Sequence, residues 1–273
     1  MQPCKLTEQE FVRIYTFIHR KYGIDLSKKR VIIEGRLENY LRQMGFSNYS
    51  EYMNAVESDV TGKLEHKLVD LLTTNHTYFM RESEHFDYFR KVVLPELKAR
   101  HEKTHDLRVW CGASSSGEEP YTLAMIMTEF LGLEASNWDY SLLATDISND
   151  ILRQAINGIY TSEQIAPLPD SYKRRHFKQL PDTNLYQVND ELKKKVIYRK
   201  FNLMDEFPFR QNLHCIFLRN VLIYFEDPTK NAIIQKCYDN LEHGGYLFLG
   251  KTETIHREDT EFKLVYPSVF RKS

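Results

Sequence analysis

Residues 109–120 constrain the fold more than any other stretch of the chain. The residues leading into this stretch, 107–111, have the apolar character of the end of a buried strand, and apolar residues recur at helical spacing from Pro120 onward. Small residues form the turn between them. Such a turn is typical of the carboxyl edge of a parallel sheet, where Gly112 and Gly117 would let the backbone approach a bound cofactor closely.

The same turn carries two carboxylates, Glu118 and Glu119, and contains no Lys or Arg. A phosphate site would offer backbone N–H groups together with a cation, so this turn does not resemble one. A cofactor with positive charge fits better, and S-adenosylmethionine carries both a sulfonium and an ammonium group. Alternatively, the two glutamates only complement the positive end of the helix dipole.

Composition sets the outer limits on function. The chain has 273 residues, 42% of them hydrophobic and 27% charged, and a formal net charge of -1. These values are ordinary for a soluble protein and predict no general affinity for nucleic acid. We find no apolar run long enough to span a membrane and no signal-peptide pattern, so we expect a cytoplasmic protein without membrane insertion.

The cysteines and histidines show no metal-ligand spacing. Cys4, Cys111, Cys215 and Cys237 are scattered along the chain, which favours reduced thiols over disulfides or a zinc site. We therefore expect no metal. No exposed heptad pattern is evident, so we expect a monomer.

Residues 1–72 have the pattern of a small helical domain. A capping box at residues 7–10 starts the first helix, Gly23 and Gly45 end the first two helices, and Asn48 caps the third. Apolar residues at helical spacing between 61 and 72 predict a fourth helix. The domain contains no obvious catalytic group.

The second of these helices is basic. Its cations are Lys28, Lys29, Arg30, Arg36 and Arg42. This face is either simply solvated, as mixed charges on a helix usually are, or a docking surface for an acidic partner helix.

Residues 73–106 connect the helical domain to the remainder of the chain. The first part, residues 74–82, is polar, aromatic and cationic at once, whereas a plain linker is richer in Gly, Pro or Ser. We interpret it as a segment folded over the cofactor pocket and followed by a helix. Arg81 is a candidate to bind a carboxylate in bidentate fashion, or alternatively pairs with Glu82 or Glu84 on the surface.

From residue 107 the chain alternates between strand and helix, which indicates a parallel sheet covered on both faces. The second strand, residues 140–146, ends in Asp146, where a carboxylate could accept from two vicinal ribose hydroxyls. Asp146 could instead be only a turn or N-cap residue. The remaining predicted strands are 196–200, 213–218 and 246–249, and residues 262–272 have the pattern of a closing antiparallel hairpin.

Residues 158–195 interrupt this alternation and are locally basic, at 173–178 and 193–195. The basic charge could attract acidic helices of a protein partner. A different interpretation is an RNA methyltransferase whose insertion follows phosphates and stacks bases on Tyr172, Phe177 and Tyr186. A third is a cofactor-binding module without catalytic activity.

Four motifs in order, residues 74–82, 113–121, 144–147 and 219–225, resemble the bacterial chemotaxis receptor methyltransferases of the CheR family. These enzymes use S-adenosylmethionine to esterify glutamates on chemoreceptor helices and release S-adenosylhomocysteine. The resemblance covers nearly the whole chain. It implies an N-terminal all-α domain (1–72), a linker lining the site (73–106), and a class I methyltransferase domain (107–273) with a β-subdomain inserted at about 158–195.

The resemblance also implies roles for single residues. The implied cofactor contacts are Asn75, Thr77, Arg81, Gly112, Ala113, Glu118, Asp146, Ile147, Asn202, Leu203, Arg219 and Asn220. Arg81 and Tyr224 would lie nearest the transferred methyl group. The implied partners are the cytoplasmic helices of methyl-accepting chemoreceptors.

The absence of two sequence motifs helps to identify the reaction and the chemical class of the methyl acceptor. Enzymes that methylate exocyclic amines carry an Asn/Asp-Pro-Pro-Tyr/Phe motif after the fourth strand, whereas this chain has residues 219–222 there, beginning with Arg219. A cation at this position suits an oxygen acceptor better than an amine. No complete G-x-G-x-x-G is present, which argues against a nicotinamide dehydrogenase.

Overall fold

A computed structural model gives the structure of the chain and describes residues 5–255, 258 and 260–273. The N-terminal part is a bundle of four helices, with the capping box at Thr7 and Glu10 formed as predicted. Gly23 and Gly45 end the first two helices in the left-handed conformation, with φ of 70° and 81°. The helices are α1 (Glu8–Tyr22), α2 (Arg30–Met44), α3 (Tyr49–Ser58) and α4 (Lys63–Leu72).

Most of the basic side chains of α2 have partners within the bundle. Arg30 binds Glu8, Arg42 lies 2.9 Å from Glu38, and Arg36 donates to the carbonyls of residues 72 and 73 at the end of α4. Lys28 and Lys29 are exposed. The exposed basic surface is therefore smaller than the sequence alone indicates.

A helical run of three sections follows the linker: α5 (Ser83–Tyr88), a π-helical turn (Phe89–Val93) and α6 (Leu94–Arg100). The π turn ends at Val93, two residues before Pro95. Proline lacks the N–H that an α-helix would use there, so the change of hydrogen-bond pattern occurs where the regular ladder is interrupted. This run packs Phe86, Phe89 and Leu97 into the main core.

The second part of the chain contains a seven-stranded sheet. Its strands are β1 (Val109–Gly112), β2 (Leu142–Asp146), β6 (Val196–Lys200), β7 (Leu213–Phe217), β8 (Leu241–Phe248), β9 (Lys263–Tyr266) and β10 (Val269–Arg271). Their order across the sheet is β6-β2-β1-β7-β8-β10-β9. The first five strands in sheet order, β6 to β8, pair in parallel, and the terminal hairpin is antiparallel. This arrangement confirms the predicted fold class.

Helices connect the strands and cover the sheet. These are α7 (Glu118–Leu131), α8 (Asn149–Asn157) and α12 (Asp227–Asn240), with 3₁₀ turns at Gly132–Asn137 and Leu222–Tyr224. The strand order reverses direction at β1, which has β2 on one side and β7 on the other. Ligands in such sheets bind beyond the carboxyl ends of the strands at this switch point.

The segment between α8 and β6 folds into a separate three-stranded antiparallel sheet in the order β3-β5-β4. Its elements are β3 (Ile159–Thr161), α9 (Ser162–Ile165), α10 (Asp170–His176), β4 (Phe177–Gln179), β5 (Leu185–Val188) and α11 (Asp190–Lys193). Its aromatic residues Tyr172, Phe177 and Tyr186 pack against the main core.

The predicted reduced cysteines can be located in part. Cys111, Cys215 and Cys237 are free and buried. Cys4 lies outside the described residues. None of the helices in the described part of the chain is both long enough and apolar enough to span a membrane.

Candidate active site

A cavity of about 350 Å³ lies between the helical bundle and the carboxyl edge of the sheet. Most residues predicted from the sequence contribute to its wall. They are Asn75, Thr77, Arg81, Ala113, Asp146, Ile147, Asn202, Leu203, Arg219, Asn220 and Tyr224. The fold thus brings together residues that are up to 149 positions apart in sequence, from Asn75 to Tyr224, at one edge of the sheet.

The turn after β1 is a strained segment that joins three parts of the structure. Ala113 and Ser115 have positive φ values of 51° and 50°. The Ser115 backbone N–H donates to Asp146 at 2.9 Å, and the Ser115 hydroxyl donates to the Asn75 carbonyl at 2.9 Å. The turn therefore holds the linker and the end of β2 in fixed positions around the cavity.

Asp146 is 6% exposed and faces the cavity at the end of β2. One carboxylate oxygen accepts from the Ser115 N–H and the other from the Ser148 N–H, at 2.9 and 3.0 Å. Burial raises the pKa of this carboxyl, although the two backbone N–H groups oppose the shift. Since each oxygen keeps a further lone pair, the group can still accept from two ligand hydroxyls.

Arg219, which follows β7, is buried between two carboxylates. It donates to Glu119 at 2.8 Å and to Glu82 at 3.1 Å. Burial alone would raise the pKa of Glu82, but Arg219 and the side-chain amide of Asn220 outweigh burial and lower it. Because one guanidinium serves two carboxylates, this cluster carries a net negative charge when both carboxylates are ionised, and Glu119 and Arg219 are its members on the cavity wall.

Glu119, and not the predicted Glu118, contributes to the cavity wall. Glu118 is 2% exposed and its carboxylate accepts from the Ser116 hydroxyl at 2.7 Å. Successive helical residues point about 100° apart, so only one of two adjacent glutamates at the start of α7 can face the cavity. Burial raises the pKa of Glu119, with Arg219 opposing the shift.

The two glycines of the turn have a different role from the one expected. A Cβ on Gly112 would lie 2.7 Å from the Leu218 side chain, and one on Gly117 would lie 2.8 Å from the Tyr198 hydroxyl. Gly117 also has φ of 98°. Close packing against the protein itself accounts for both glycines, and Gly112 is not part of the cavity wall.

Arg81 and Tyr224 both face the cavity with polar groups available for a ligand. The Arg81 guanidinium donates to the His76 carbonyl at 2.8 Å and lies over the Tyr78 ring at 5.7 Å. Within the described residues it forms no ion pair, and the alternative pairing with Glu82 or Glu84 does not occur. The Tyr224 hydroxyl makes no hydrogen bond to any residue that the structure describes.

Asn202 holds the helical bundle against the sheet. Its amide donates to the Lys21 carbonyl at 3.0 Å and accepts from the Met204 N–H at 3.1 Å. Beside it, Ile24 and Phe225 form an antiparallel bridge. Because of this contact, residues of the bundle line one side of the cavity. These residues were not identified from the sequence. These include Tyr22, Asp25, Leu26, Lys29, Ile32 and Leu72.

Glu253 is a further buried acid near the site that has no predicted role. It is 6% exposed and accepts from the backbone N–H groups of Asn220, Leu222 and Gly250. Burial raises the pKa of its carboxyl. Its position shortly after the fifth parallel strand, β8, is the feature of the sequence that could have identified it.

One group of three potential metal ligands lies away from the cavity. Ligand atoms of His101, His214 and Glu242 lie within 4.8 Å of one another. Arg108 donates from its backbone to Nδ1 of His214 at 3.1 Å and places its guanidinium 2.6 Å from Nε2. A metal would have to displace a cation from this ring, so we assign no metal to the group.

Two family models match the chain. One is described as the CheR methyltransferase all-alpha domain and matches residues 9–73, and the other as the CheR methyltransferase SAM binding domain and matches residues 75–270. Together they cover the helical bundle and the sheet described above.

Curated relatives match over almost the full length. The chain is 40% identical over 273 residues to a chemotaxis protein methyltransferase of Borreliella burgdorferi, covering 98% of this chain and 95% of the relative. It is 32% identical to the chemotaxis protein methyltransferase of Escherichia coli K12, covering 98% and 92%. Among solved structures, the glycopeptide N-methyltransferase MtfA with sinefungin matches with a TM-score of 0.36 and 11% identity, over 64% of this chain and 54% of that one.

Proposed function

The chain belongs to the CheR methyltransferase family, and we propose that it methylates glutamate side chains of chemoreceptors with S-adenosylmethionine, as an adaptation enzyme of bacterial chemotaxis. One observation supports this most strongly. Asp146, the Glu119–Arg219 pair, Arg81 and Tyr224 all lie on one cavity at the switch point of the sheet. We further propose that the enzyme acts in the cytoplasm as a monomer.

The donor set of the cavity fits this cofactor. Asp146 has free lone pairs for the two ribose hydroxyls. The net negative cluster of Glu82, Glu119 and Arg219 suits the ammonium and sulfonium groups, with Glu119 nearest to them. Arg81, which has no internal carboxylate partner in the described chain, suits the cofactor's carboxylate. Asn75, Thr77 and Leu203 complete the proposed contacts.

The chemistry requires no general base. When bound, S-adenosylmethionine supplies an electrophilic methyl group, which a glutamate oxygen takes by direct displacement. A glutamate with a pKa of about 4.3 is already ionised at neutral pH. The chain's own residues then have to align the acceptor and exclude water, and alignment alone can lower the barrier by about 7–11 kcal/mol.

Tyr224 and the bundle wall are suited to these tasks. The Tyr224 hydroxyl, which has no partner among the described residues, can donate to the acceptor carboxylate or to the reacting centre. Apolar bundle residues such as Leu26, Ile32 and Leu72 close the other side of the cavity and reduce its access to water. Methyl transfer neutralises a cation and an anion, so a site with little water favours it.

The receptor would approach from the side of α2. Lys29 lies at the cavity and, like Lys28, is exposed, so both can attract an acidic receptor helix. The other three basic residues of α2 are engaged within the bundle. The proposed docking charge is therefore concentrated at the start of α2, next to the cavity.

The structure gives less support to an RNA substrate. Tyr172, Phe177 and Tyr186 pack against the core and are not free to stack on bases. Arg175 of the basic insertion lies 2.7 Å from Glu129, and Lys173 lies 3.3 Å from Asp170. These pairs reduce the positive charge that an RNA backbone would need.

Labelling with radioactive S-adenosylmethionine tests the proposal. Chemoreceptor cytoplasmic fragments and the same fragments with alanine at the candidate glutamates are incubated with the enzyme, in parallel with bacterial RNA. We expect label on the glutamate-containing fragments only. Equal label on the alanine fragments, or label confined to RNA, would contradict the proposed substrate.

A further inference from the structure

We propose that Glu253 is a positioning residue that fixes the turn carrying Asn220 and Tyr224 at the edge of the cavity. The proposal rests on the proposed function, because it concerns the geometry of the methyl-transfer site. Glu253 itself does not contribute to the cavity wall. Its influence on the reaction must therefore pass through the residues that it holds.

The carboxylate of Glu253 joins the ends of two neighbouring strands. One oxygen accepts from the N–H groups of Asn220 and Gly250, at 2.7 and 2.6 Å, and the other accepts from the Leu222 N–H at 2.6 Å. Asn220 follows β7 and Gly250 follows β8. These short hydrogen bonds hold the carboxyl ends of β7 and β8 together at the point where the chain turns toward the cavity.

The turn depends on such an anchor because its backbone is unusual. Asn220 has a positive φ of 59°, which is uncommon for a residue with a side chain. A Cβ on Gly250 would lie 2.3 Å from the side-chain amide nitrogen of Asn220 and 2.9 Å from its backbone nitrogen, so the two segments are packed as closely as a glycine allows. The surrounding contacts must hold Asn220 in this conformation.

The anchor reaches Tyr224 through one short turn of 3₁₀ helix. Leu222, whose N–H binds Glu253, is the first residue of that turn, and Tyr224 is the last. The Tyr224 N–H donates to the Val221 carbonyl at 3.1 Å, and the Tyr224 carbonyl accepts from Asp25 of the bundle segment at 2.9 Å. The direction of the Tyr224 side chain is thus set from both ends of the turn.

Only a carboxylate suits the position that Glu253 occupies. All three partners are N–H donors, and among the described residues no lysine or arginine forms an ion pair with Glu253. Glutamine has the same shape but presents an NH₂ group to at least one of these donors, which leaves it unpaired. Glu253→Gln should therefore displace the turn without creating a cavity in the core.

The experiment is a double-mutant cycle of Glu253→Gln and Tyr224→Phe. Turnover is measured at saturating S-adenosylmethionine on receptor fragments, together with the S-adenosylhomocysteine dissociation constant and the thermal unfolding midpoint. Glu96→Gln is the matched control, since Glu96 accepts from Tyr246 at 2.5 Å and also binds Arg100 and Arg271, remote from the turn. If Glu253→Gln does not fold, Glu253→Asp replaces it in the same cycle.

We expect Glu253→Gln to lower turnover at least tenfold while S-adenosylhomocysteine affinity changes less than threefold. In the Tyr224→Phe background it should lower turnover less than threefold, because both changes act on one group. Glu96→Gln should lower the unfolding midpoint but keep wild-type turnover, which separates positioning from stability. The wild-type reaction tests the proposed function by itself.

Two results would overturn the role of Glu253. One is wild-type turnover in Glu253→Gln. The other is a loss that is fully additive with that of Tyr224→Phe. Wild-type turnover in Tyr224→Phe alone would instead refute the role proposed for Tyr224, which belongs to the proposed function.

Discussion

Arg219 and Glu119 form an ion pair of 2.8 Å in the wall of the cavity, and the same guanidinium also binds Glu82 at 3.1 Å. The Arg219 side chain is fully buried in this arrangement. Removal of the cation would leave two largely buried carboxylates without a positively charged partner, although Glu82 would keep its hydrogen bonds from the Asn220 amide and the Lys251 N–H. The pairs are therefore expected to be necessary for the fold as well as for the charge of the site.

We predict that Arg219→Met lowers the free energy of unfolding by about 3–5 kcal/mol, the usual cost of removing one partner of a buried pair. Urea denaturation at pH 7 measures this. Arg175→Met is the control, because the Arg175 side chain is 62% exposed in its pair with Glu129 and its loss should cost about 0–1 kcal/mol. Equal losses in the two variants would contradict the buried role of Arg219.

Tyr224→Phe should lower turnover about 10- to 100-fold at saturating cofactor, since it removes the hydroxyl at the cavity but keeps the ring. Affinity for S-adenosylhomocysteine should change little, because the proposed contact is to the acceptor or the reacting centre. Steady-state kinetics and calorimetry separate these effects. Tyr238→Phe, which loses contacts to Glu261 and to the Ser273 carbonyl but none at the cavity, should behave as wild type. Full turnover in Tyr224→Phe would show that the hydroxyl has no part in the reaction.

Asp146→Asn should weaken S-adenosylhomocysteine binding about 10- to 100-fold. The amide NH₂ would face either the Ser115 or the Ser148 N–H, both of which now donate to the carboxylate. The wild-type protein should also prefer the natural ligand over its 2′-deoxy analogue, and Asp146→Asn should lose most of that preference. Calorimetry with both ligands measures this. A preference that survives the substitution would place the ribose elsewhere.

Cofactor affinity should fall at acid pH because of Glu119. Burial raises the pKa of this carboxyl, so it takes up a proton at a higher pH than an ordinary glutamate does. The neutral form no longer attracts the ligand ammonium group, so affinity decreases as the pH falls toward the raised value.

Titration of S-adenosylhomocysteine between pH 5 and 8 checks this prediction about Glu119. Glu119→Gln should bind more weakly at pH 7.5 and show a shallower pH dependence, with Asp146 responsible for what remains, since burial also raises its pKa. Parallel pH curves for the two proteins would assign the acid effect to another group.

The order of the elements and much of the cavity could be predicted because both follow from local patterns. The bounds of β6 (Val196–Lys200) were predicted from the strand-forming character of its residues alone. Since parallel strands present their carboxyl ends at one edge, Asp146 at the end of β2, Asn202 after β6 and Arg219 after β7 could be placed together. The four family motifs added the residues of the linker.

Other features depend on three-dimensional packing that no local pattern encodes. Which of Glu118 and Glu119 faces the cavity is set by the rotation of α7. The need for glycine at position 117 comes from the Tyr198 and Tyr160 hydroxyls, which belong to other strands. Residues of the bundle line the cavity because Ile24 and Phe225 form a β-bridge. These two residues are 201 positions apart in sequence.

The central claim is that the product is a glutamate methyl ester, and the lability of that product to base tests it most directly. Receptor fragments labelled by the enzyme with radioactive S-adenosylmethionine are treated with mild alkali. An ester releases its label as volatile methanol, whereas N-methyl and ribose O-methyl groups retain it. The account predicts volatile label from the receptor fragments. Label that stays on the product after alkali would contradict it.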